Sequence, residues 1–112
     1  MNAPLQKTEV VYNTFAEFWP KYLEEHSNPL NQKLHFIGTT LAIVFLLLTI
    51  IEAQPLFLPA AIVSGYFFAW IGHFFVQKNK PLTFQYPFKS LVADFKLYGR
   101  LWRLMLFRIP LA

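Results

Sequence analysis

The chain of 112 residues contains no cysteine and few charged residues. The lack of cysteine excludes disulfide bonds, thiolate metal sites and a cysteine nucleophile. Asp, Glu, Lys and Arg make up only 14% of the sequence, whereas 55% of it is hydrophobic and 19% is aromatic. A water-soluble domain of this size would expose enough apolar surface to aggregate. The composition therefore predicts a single domain, residues 1–112, embedded in lipid.

Positive charge is in modest excess, with ten Lys and Arg residues against six Asp and Glu residues. The basic residues lie beside apolar segments, where anionic lipid headgroups are the nearest partner. We therefore expect contacts with membrane lipids and no nucleic-acid partner. The N-terminal stretch MNAPLQKTEVVYN lacks a basic start followed by an apolar run, so a cleaved signal peptide is not expected.

Two apolar runs are each long enough to cross a bilayer. Residues 34–53 carry ionisable side chains only at their ends, and at about 1.5 Å per residue they reach about 30 Å. Residues 56–76 form a second run with Pro59 in its first turn, where a missing N–H costs little. The link at residues 52–55 is short. The two predicted helices must therefore be antiparallel neighbours.

Amphipathic helices are predicted on both sides of this hairpin, at residues 11–25 and 88–108. The first has apolar residues at helical spacing, namely Val11, Phe15, Phe18, Trp19 and Tyr22. The second opposes basic residues with an apolar face made of Phe88, Leu91, Val92, Phe95, Tyr98 and Trp102. Such helices lie in the headgroup plane. The predicted fold class is all-α: an antiparallel transmembrane hairpin flanked by amphipathic interfacial helices. A homo-oligomer formed through the aromatic faces of those helices is left open as an alternative.

Basic residues occur in both flanks and are absent from the turn between the two apolar runs. Because Lys and Arg accumulate on the cytoplasmic side of membrane proteins, both termini are expected to be cytoplasmic. The compact length favours a bacterial inner membrane over the endoplasmic reticulum.

Two of the three histidines are predicted to meet at one end of the hairpin. His35 and His73 are equally distant in sequence from Gln54, at the centre of the turn, so they lie at matched depth. Small residues spaced four apart, which let membrane helices approach, share their faces: Gly38 and Ala42, and Ala61, Gly65 and Ala69. One interpretation is a pair of interfacial histidines bonded to backbone or headgroups. The other is a functional site, because ionisable groups at membrane helix contacts are commonly functional.

The third histidine can join them. Asn28-Pro29 forces a turn between His26 and His35, which could fold His26 over the mouth of the hairpin. Three neutral imidazoles without thiolates suit iron or zinc. Our hypothesis is a metal site of His26, His35 and His73 that is also the catalytic site.

Seven further polar residues are candidates for holding the histidines or binding substrate, namely Glu25, Asn28, Asn31, Lys78, Asn79, Tyr86 and Asp94. Each has an ordinary alternative. The asparagines and Tyr86 fit turn chemistry, and Lys78 fits lipid phosphate. Asp94 fits an ion pair with Lys96 or Arg100, or a place in the metal shell. Glu25 or its neighbour could fix the tautomer of His26.

Two blocks of sequence resemble a known membrane family, FAEFWPKYLEEHSNPLNQKLHFIGTTL and GYFFAWIGHFFVQKNKPLTFQYPFKSLVADF. They are similar to a former domain of unknown function that includes a fungal endoplasmic-reticulum enzyme for the metabolism of phytosphingosine to odd-numbered fatty acids. The resemblance covers roughly residues 15–100. It implies an Fe(2+)-dependent dioxygenase that uses dioxygen to shorten a 2-hydroxy fatty acid by one carbon, with His26, His35 and His73 as ligands.

The chain departs from the family pattern at four positions. The family commonly has arginine at Gln32 and at Lys80, glutamate at Gln77, and glycine at Ala93. The change at Gln77 puts a carboxylate ligand on the second span in question.

Three other functions compete with the dioxygenase. A non-enzymatic hairpin that anchors or shapes membrane would need only the short turn and the amphipathic flanks. A haem carrier could use His35 and His73 as axial ligands. A zinc hydrolase is also consistent with three histidines, since three ligands and a water describe catalytic zinc.

Overall fold

The computed structural model describes residues 11–107, which are almost entirely helical. The first ten residues lie outside this range, and the expectation that they carry no signal peptide lies outside it with them. Arg108, the last residue of the predicted C-terminal helix, also lies outside it. No strand occurs within it. The helices in chain order are α1 (Phe15–Glu25), α2 (Pro29–Ile51), α3 (Phe57–Ile71), a π-helical segment (Gly72–Gln77), a 3-10 turn (Leu82–Phe84) and α4 (Pro87–Phe107).

Helix α1 begins at Phe15 because Thr14 caps it. The Thr14 hydroxyl accepts a hydrogen bond from the Glu17 backbone N–H at 3.2 Å, and the Glu17 carboxylate accepts one from the Thr14 N–H at 3.1 Å. This reciprocal pair satisfies N–H groups that a helix end leaves open. The helix therefore starts four residues after the predicted start at residue 11, and it ends at Glu25, the last residue of the predicted range.

Helix α2 begins at Pro29, five residues before the predicted start. The side-chain oxygen of Asn28 accepts from the Leu30 N–H at 2.8 Å, and proline suits the first helical position because its missing N–H has no partner there. The Asn28-Pro29 pair therefore both ends the turn after α1 and starts the helix. The extension places Asn31 and His35 on one helix, one turn apart.

Two helices are long and apolar enough to cross a membrane, Pro29–Ile51 and Phe57–Gln77. They run in opposite directions side by side, since Gly38 of α2 lies against Gly65 and Phe68 of α3 while Phe45 stacks on Phe57 near the turn. The turn includes Ala53 with a positive φ of 49°. Many apolar side chains on the outer surfaces of both helices are exposed.

The other helices pack around the end of this pair that carries the histidines. A buried cluster joins α1, the 3-10 turn and α4, and consists of Phe18, Trp19, Tyr22, Leu82, Ala93 and Leu97. The C-terminal half of α4 reaches α2, where the Tyr98 ring stacks on Phe36. Helix α4 therefore bridges α1 and α2.

Helix α4 packs against α1 through residues outside its predicted apolar face. Ser90, Ala93 and Leu97 are buried, whereas Phe88 is 82% exposed and Leu91, Val92 and Phe95 are also exposed. Small residues allow α4 to approach the bulky aromatic side chains of α1 closely, so the larger apolar side chains of α4 point away from that contact. Most of the predicted apolar face is therefore left uncovered by the rest of the described chain.

Candidate metal centre

Three buried imidazoles converge at one end of the helix pair. His26 is the C-cap of α1, His35 lies in the second turn of α2, and His73 lies in the π-helical segment. Their exposed fractions are 2%, 6% and 2%. The Nε2 atom of His26 lies 3.2 Å from that of His35 and 2.9 Å from that of His73. Among the described residues, this is the group of side chains that could hold a metal ion.

Backbone carbonyls fix the tautomers of two of these rings. The Nδ1 atom of His26 lies 2.7 Å from the carbonyl oxygen of Tyr22, and Nδ1 of His35 lies 2.9 Å from that of Asn31. A carbonyl oxygen can only accept a hydrogen bond, so each Nδ1 carries the proton and donates it. The Nε2 atoms of His26 and His35 therefore present lone pairs.

The tautomer of the third ring, His73, is fixed by Asn79, which is itself held by Glu25. Nδ1 of His73 lies 2.6 Å from Oδ1 of Asn79. The amide nitrogen of Asn79 donates to the Glu25 carbonyl at 2.9 Å and to the Glu25 carboxylate at 2.7 Å. Because both of those groups are acceptors, the orientation of the Asn79 amide is determined, and its oxygen must face His73. Nδ1 of His73 therefore donates, and its Nε2 is also an acceptor.

The Nε2 lone pair of His26 therefore faces those of His35 and His73 at hydrogen-bonding distance, and no proton lies between them. All three nitrogens lie within 4.8 Å of one another, an arrangement that is repulsive unless a cation sits among them. A proton is a poor candidate on His26, because burial, together with the neighbouring His35 and His73, lowers its pKa to about 2. Nitrogen ligands about 2.1 Å from one ion and roughly at right angles lie about 3.0 Å apart, close to the observed separations. The donor set therefore fits a divalent metal such as iron or zinc.

The π-helical segment places His73 and its partner together. It ends at Lys78, whose φ of 59° is left-handed, and the Asn79 N–H returns to the His73 carbonyl at 2.8 Å. The chain thus turns back immediately after the helix and puts the Asn79 side chain beside the His73 ring. A single π-helical turn within an α-helix is often found at functional sites. The sequence did not predict this segment.

Gln77 holds the α1–α2 link rather than the histidines. Its Oε1 atom accepts from the Asn28 N–H at 2.9 Å and from the Asn31 amide at 3.3 Å, while its Nε2 donates to Ser27 at 2.9 Å. Gln32, another departure from the family pattern, donates to the His26 carbonyl at 2.7 Å. Neither of these two side chains bonds to an imidazole ring.

The backbone carbonyl of Asn31 accepts the hydrogen bond from His35, and the Asn31 side chain lies at an unusually close contact between helices. It is fully buried, and its Oδ1 atom has no hydrogen-bond partner among the described residues. A Cβ atom on Gly72 would overlap that oxygen. Glycine at position 72 is therefore what allows α2 to approach the His73 segment.

The remaining predicted residues lie in different places. Asn28 caps α2, and Lys78 is exposed at the end of the π-helical segment. The Tyr86 hydroxyl accepts from the Tyr12 N–H at 3.2 Å, and its ring packs on Phe18. Tyr86 therefore belongs to the aromatic cluster of α1 and does not point back into the site.

Glu25 and Asp94 have partners other than those expected. Glu25 contacts Asn79, and also Lys21 at 3.1 Å, so it acts on His73 through Asn79 and does not fix the His26 ring. Asp94 forms no ion pair with Lys96 or Arg100; its carboxylate accepts from the Tyr22 hydroxyl at 2.5 Å. Asp94 is also not part of the imidazole group.

Tyr22 is a further functional candidate, which the sequence pattern predicted only as an apolar residue of α1. Its ring stacks on His26 with centroids 3.8 Å apart, its carbonyl accepts from the same imidazole, and its hydroxyl reaches Asp94. Its position one turn before His26 was a usable signal, because residues four apart share a helix face.

A cavity of about 440 Å³ extends from the histidines between α2, α3 and α4. Tyr22, His26, His35, His73 and Asp94 line one part of it. The wall then continues along α2 through Thr39, Ala42 and Leu46, and along α3 through Ala69, Gly65, Ile62 and Ala61. From His35 to Leu46 the helix rises about 16 Å. The site is thus the polar end of a long, mostly apolar cavity.

Fold and site together define the class: an all-helical protein with two helices of membrane-spanning length and a three-histidine candidate metal centre. The family model described as 2-hydroxy-palmitic acid dioxygenase Mpo1-like matches residues 12–106. The chain belongs to this family, as its sequence blocks indicated. No curated protein and no solved structure matches it.

Proposed function

We propose that this protein is an Fe(II)-dependent dioxygenase that shortens 2-hydroxy long-chain fatty acids by one carbon. The observation that carries the proposal is the convergence of three Nε2 lone pairs at the polar end of an apolar cavity. The family description, a dioxygenase of 2-hydroxy-palmitic acid, points to the same chemistry. Each part of the site has a role in it.

His26, His35 and His73 would hold the iron. Three neutral ligands leave coordination positions for other groups, and the iron would supply the activation of dioxygen beside the substrate head. The carbonyls of Tyr22 and Asn31 and the amide of Asn79 keep the three rings in the required tautomer. Such partners of metal-bound histidines raise their affinity for the ion.

The cavity would take the acyl chain, and its polar end would take the carboxylate and the 2-hydroxyl group. Oxidative cleavage between the first two carbons releases the shortened acid. With carbon dioxide as the one-carbon fragment, one acid and one dioxygen give one shortened acid, one carbon dioxide and one water. Placing the histidines at one end of the helix pair brings the chemistry to the depth at which a membrane-bound fatty acid carries its head.

The proposed setting is a bilayer crossed by α2 and α3 as a hairpin. Helices α1 and α4 would lie at the headgroups, with Lys78, exposed near the histidine end, meeting lipid phosphate or the substrate carboxylate. The same end is cytoplasmic in this proposal, because the basic residues of both flanks lie there and the turn has none. A bacterial inner membrane suits the compact chain.

Metal and oxygen measurements test the proposal. Protein purified without exposure to oxygen should contain one iron per chain, and should consume dioxygen when 2-hydroxypalmitic acid is added. His73→Ala should lose the iron and the oxygen consumption. Val63→Ala, on the exposed outer surface of α3, is the matched control and should keep both.

Other outcomes would decide against the proposal. Iron retained at full occupancy in His73→Ala would reject the ligand assignment. Zinc as the bound metal, without oxygen consumption, would favour a hydrolase, and a metal-free protein of normal stability would favour a membrane anchor. A haem carrier does not fit, because the rings of His35 and His73 lie 4.9 Å apart with His26 against both, and no porphyrin plane can enter.

A further inference from the structure

Helix α4 contributes two polar side chains to the cavity that the metal centre does not use. Ser90 and Asp94 lie one turn apart on α4, and both line the cavity that contains the histidines. Residues four apart on a helix have Cβ atoms only about 5–6 Å apart. The two side chains therefore form one small polar patch, the Ser90–Asp94 patch, on the α4 side of the cavity.

Ser90 is a buried hydroxyl without a partner. It is 1% exposed, and its Oγ atom has no hydrogen-bond partner among the described residues. The hydroxyl of a serine inside a helix commonly donates to the carbonyl four residues earlier. In Ser90 the backbone N–H donates to the Tyr86 carbonyl, at 2.9 Å, and the hydroxyl does not. A buried hydroxyl left unpaired destabilises the folded protein, because it has lost its hydrogen bonds to water without gaining others. Ligand binding is a direct way to recover that cost.

Asp94 is a carboxylate without a cation. Among the described residues only Tyr22 bonds to it, through one of its two oxygens, and no Lys or Arg forms an ion pair with it. Burial raises its pKa to about 6, although the Tyr22 hydrogen bond acts in the opposite direction. Buried charges are ordinarily paired. Asp94 therefore keeps acceptor capacity facing the cavity.

We propose that the Ser90–Asp94 patch binds the head of the 2-hydroxy acid, with Asp94 accepting a hydrogen bond from the 2-hydroxyl group and Ser90 donating one to the carboxylate. This inference rests on the proposed function, and it adds the residues that select a hydroxylated substrate. The 2-hydroxyl is the donor that distinguishes this acid from an ordinary fatty acid, and Asp94 is an acceptor with no competing cation. Tyr22 positions the carboxylate from its other side.

Two substitutions separate the two roles. Asp94→Asn keeps the size of the side chain and an oxygen that can accept from Tyr22. Ser90→Ala removes only the hydroxyl. The dissociation constants of 2-hydroxypalmitic acid and palmitic acid are measured for each full-length, iron-loaded protein in detergent, and the ratio of the two constants is compared. Iron content reports whether each variant has folded with its histidines in place.

The expected pattern differs between the variants. Wild-type protein prefers the hydroxylated acid. Asp94→Asn loses that preference by about 10-fold or more, since a hydrogen bond to a charged group is worth about 1.5–3 kcal/mol. Ser90→Ala raises the dissociation constants of both acids by a similar factor and leaves the ratio of the two constants unchanged, because both acids carry the carboxylate.

Each alternative result has its own meaning. Equal affinity of wild-type protein for the two acids would overturn this inference, whereas the proposed function is tested separately by iron content and oxygen consumption. A preference that survives in Asp94→Asn within about threefold would overturn the assignment of Asp94 alone. If Asp94→Asn does not retain iron, 2-methoxypalmitic acid provides the test on wild-type protein, because it has the oxygen but no proton to donate. It should bind no better than palmitic acid, and affinity equal to that of the hydroxylated acid would overturn the assignment.

Discussion

The tautomer of each histidine is set by one neighbouring oxygen. For His26 and His35 that oxygen is a carbonyl one turn earlier on the same chain segment. For His73 it belongs to the Asn79 side chain, which is itself held by Glu25 from α1. The position of a proton on one ring therefore depends on a carboxylate in a different helix.

Asn79→Ala should weaken metal binding. Without Oδ1 the Nδ1–H of His73 loses its acceptor and the ring can rotate, so metal affinity should fall by about 10–100-fold. A competition titration with a chelating dye measures the change. Asn13→Ala, an exposed asparagine before α1, is the matched control and should stay within about twofold. An unchanged affinity in Asn79→Ala would show that His73 is oriented without its partner.

Asp94→Asn should also change how stability depends on pH. The folded pKa of Asp94 is about 6, above its unfolded value of about 3.9. The folded protein therefore holds a proton that the unfolded chain has released between about pH 4 and pH 6, and the contribution of Asp94 to stability falls as pH rises through that window. Two pKa units correspond to about 3 kcal/mol.

The difference between variant and wild type isolates this group. Asp94→Asn should melt at a higher temperature than wild type at pH 7.5, by an amount that disappears near pH 4. Thermal unfolding in detergent over that pH range measures it. A difference in melting temperature that is independent of pH would mean that burying the ionised Asp94 carboxylate does not lower the stability of the folded protein.

At the scale of helices, the site depends on how closely α2 and α3 approach. Gly38 is one turn from His35, and a Cβ atom there would lie 3.0 Å from Cβ of Phe68 and 3.1 Å from the Gly65 carbonyl oxygen. The corresponding atom on Gly65 would lie 3.7 Å from Cβ of Ala42, an ordinary contact. Small residues of this kind let helices pack in lipid, but here only one of the two positions is tight.

Gly38→Ala should therefore be costly and Gly65→Ala tolerated. The first substitution should separate the helices beside His35, lower the unfolding free energy by about 1–3 kcal/mol and reduce iron occupancy. The second is the matched control and should keep normal iron content. Thermal unfolding and metal analysis of both variants check this expectation, which equal behaviour of the pair would contradict.

The faces of the flanking helices were harder to predict than their positions. The sequence predicted an apolar face of α4 directed to lipid, and it made no prediction for the α4 residues buried inside the protein, which are Ser90, Ala93 and Leu97. Lys96 lies over the Trp19 ring, 4.5 Å from its centroid. Periodicity shows which residues share a face, but the partner helix decides which face is covered.

At the scale of the whole molecule, the described chain has its basic residues and its histidines at one end and a short turn without basic residues at the other. A hairpin across a bilayer would put the two ends on opposite sides. Because the sequence has no cysteine, single cysteines can report each side separately. Gln54, in the turn, and Gln85, between the 3-10 turn and α4, are both exposed.

Gln54→Cys and Gln85→Cys should react from opposite sides of the membrane. In intact bacterial spheroplasts a membrane-impermeant maleimide should label the first variant, and should label the second only after the membrane is opened. The reverse order would place both termini outside the cytoplasm, and equal labelling of both in intact spheroplasts would contradict a spanning hairpin.

The sequence by itself determined the two helices of spanning length and the matched positions of His35 and His73, because apolar run length and turn length are local properties of the chain. It also carried the family blocks. The Asn28-Pro29 turn also suggested that His26 could join the other two rings. The tertiary structure decided that it does, turned all three Nε2 lone pairs inward, and placed Ser90 and Asp94 on the cavity wall. Those features depend on contacts between residues that are far apart in the chain, and no local period encodes them.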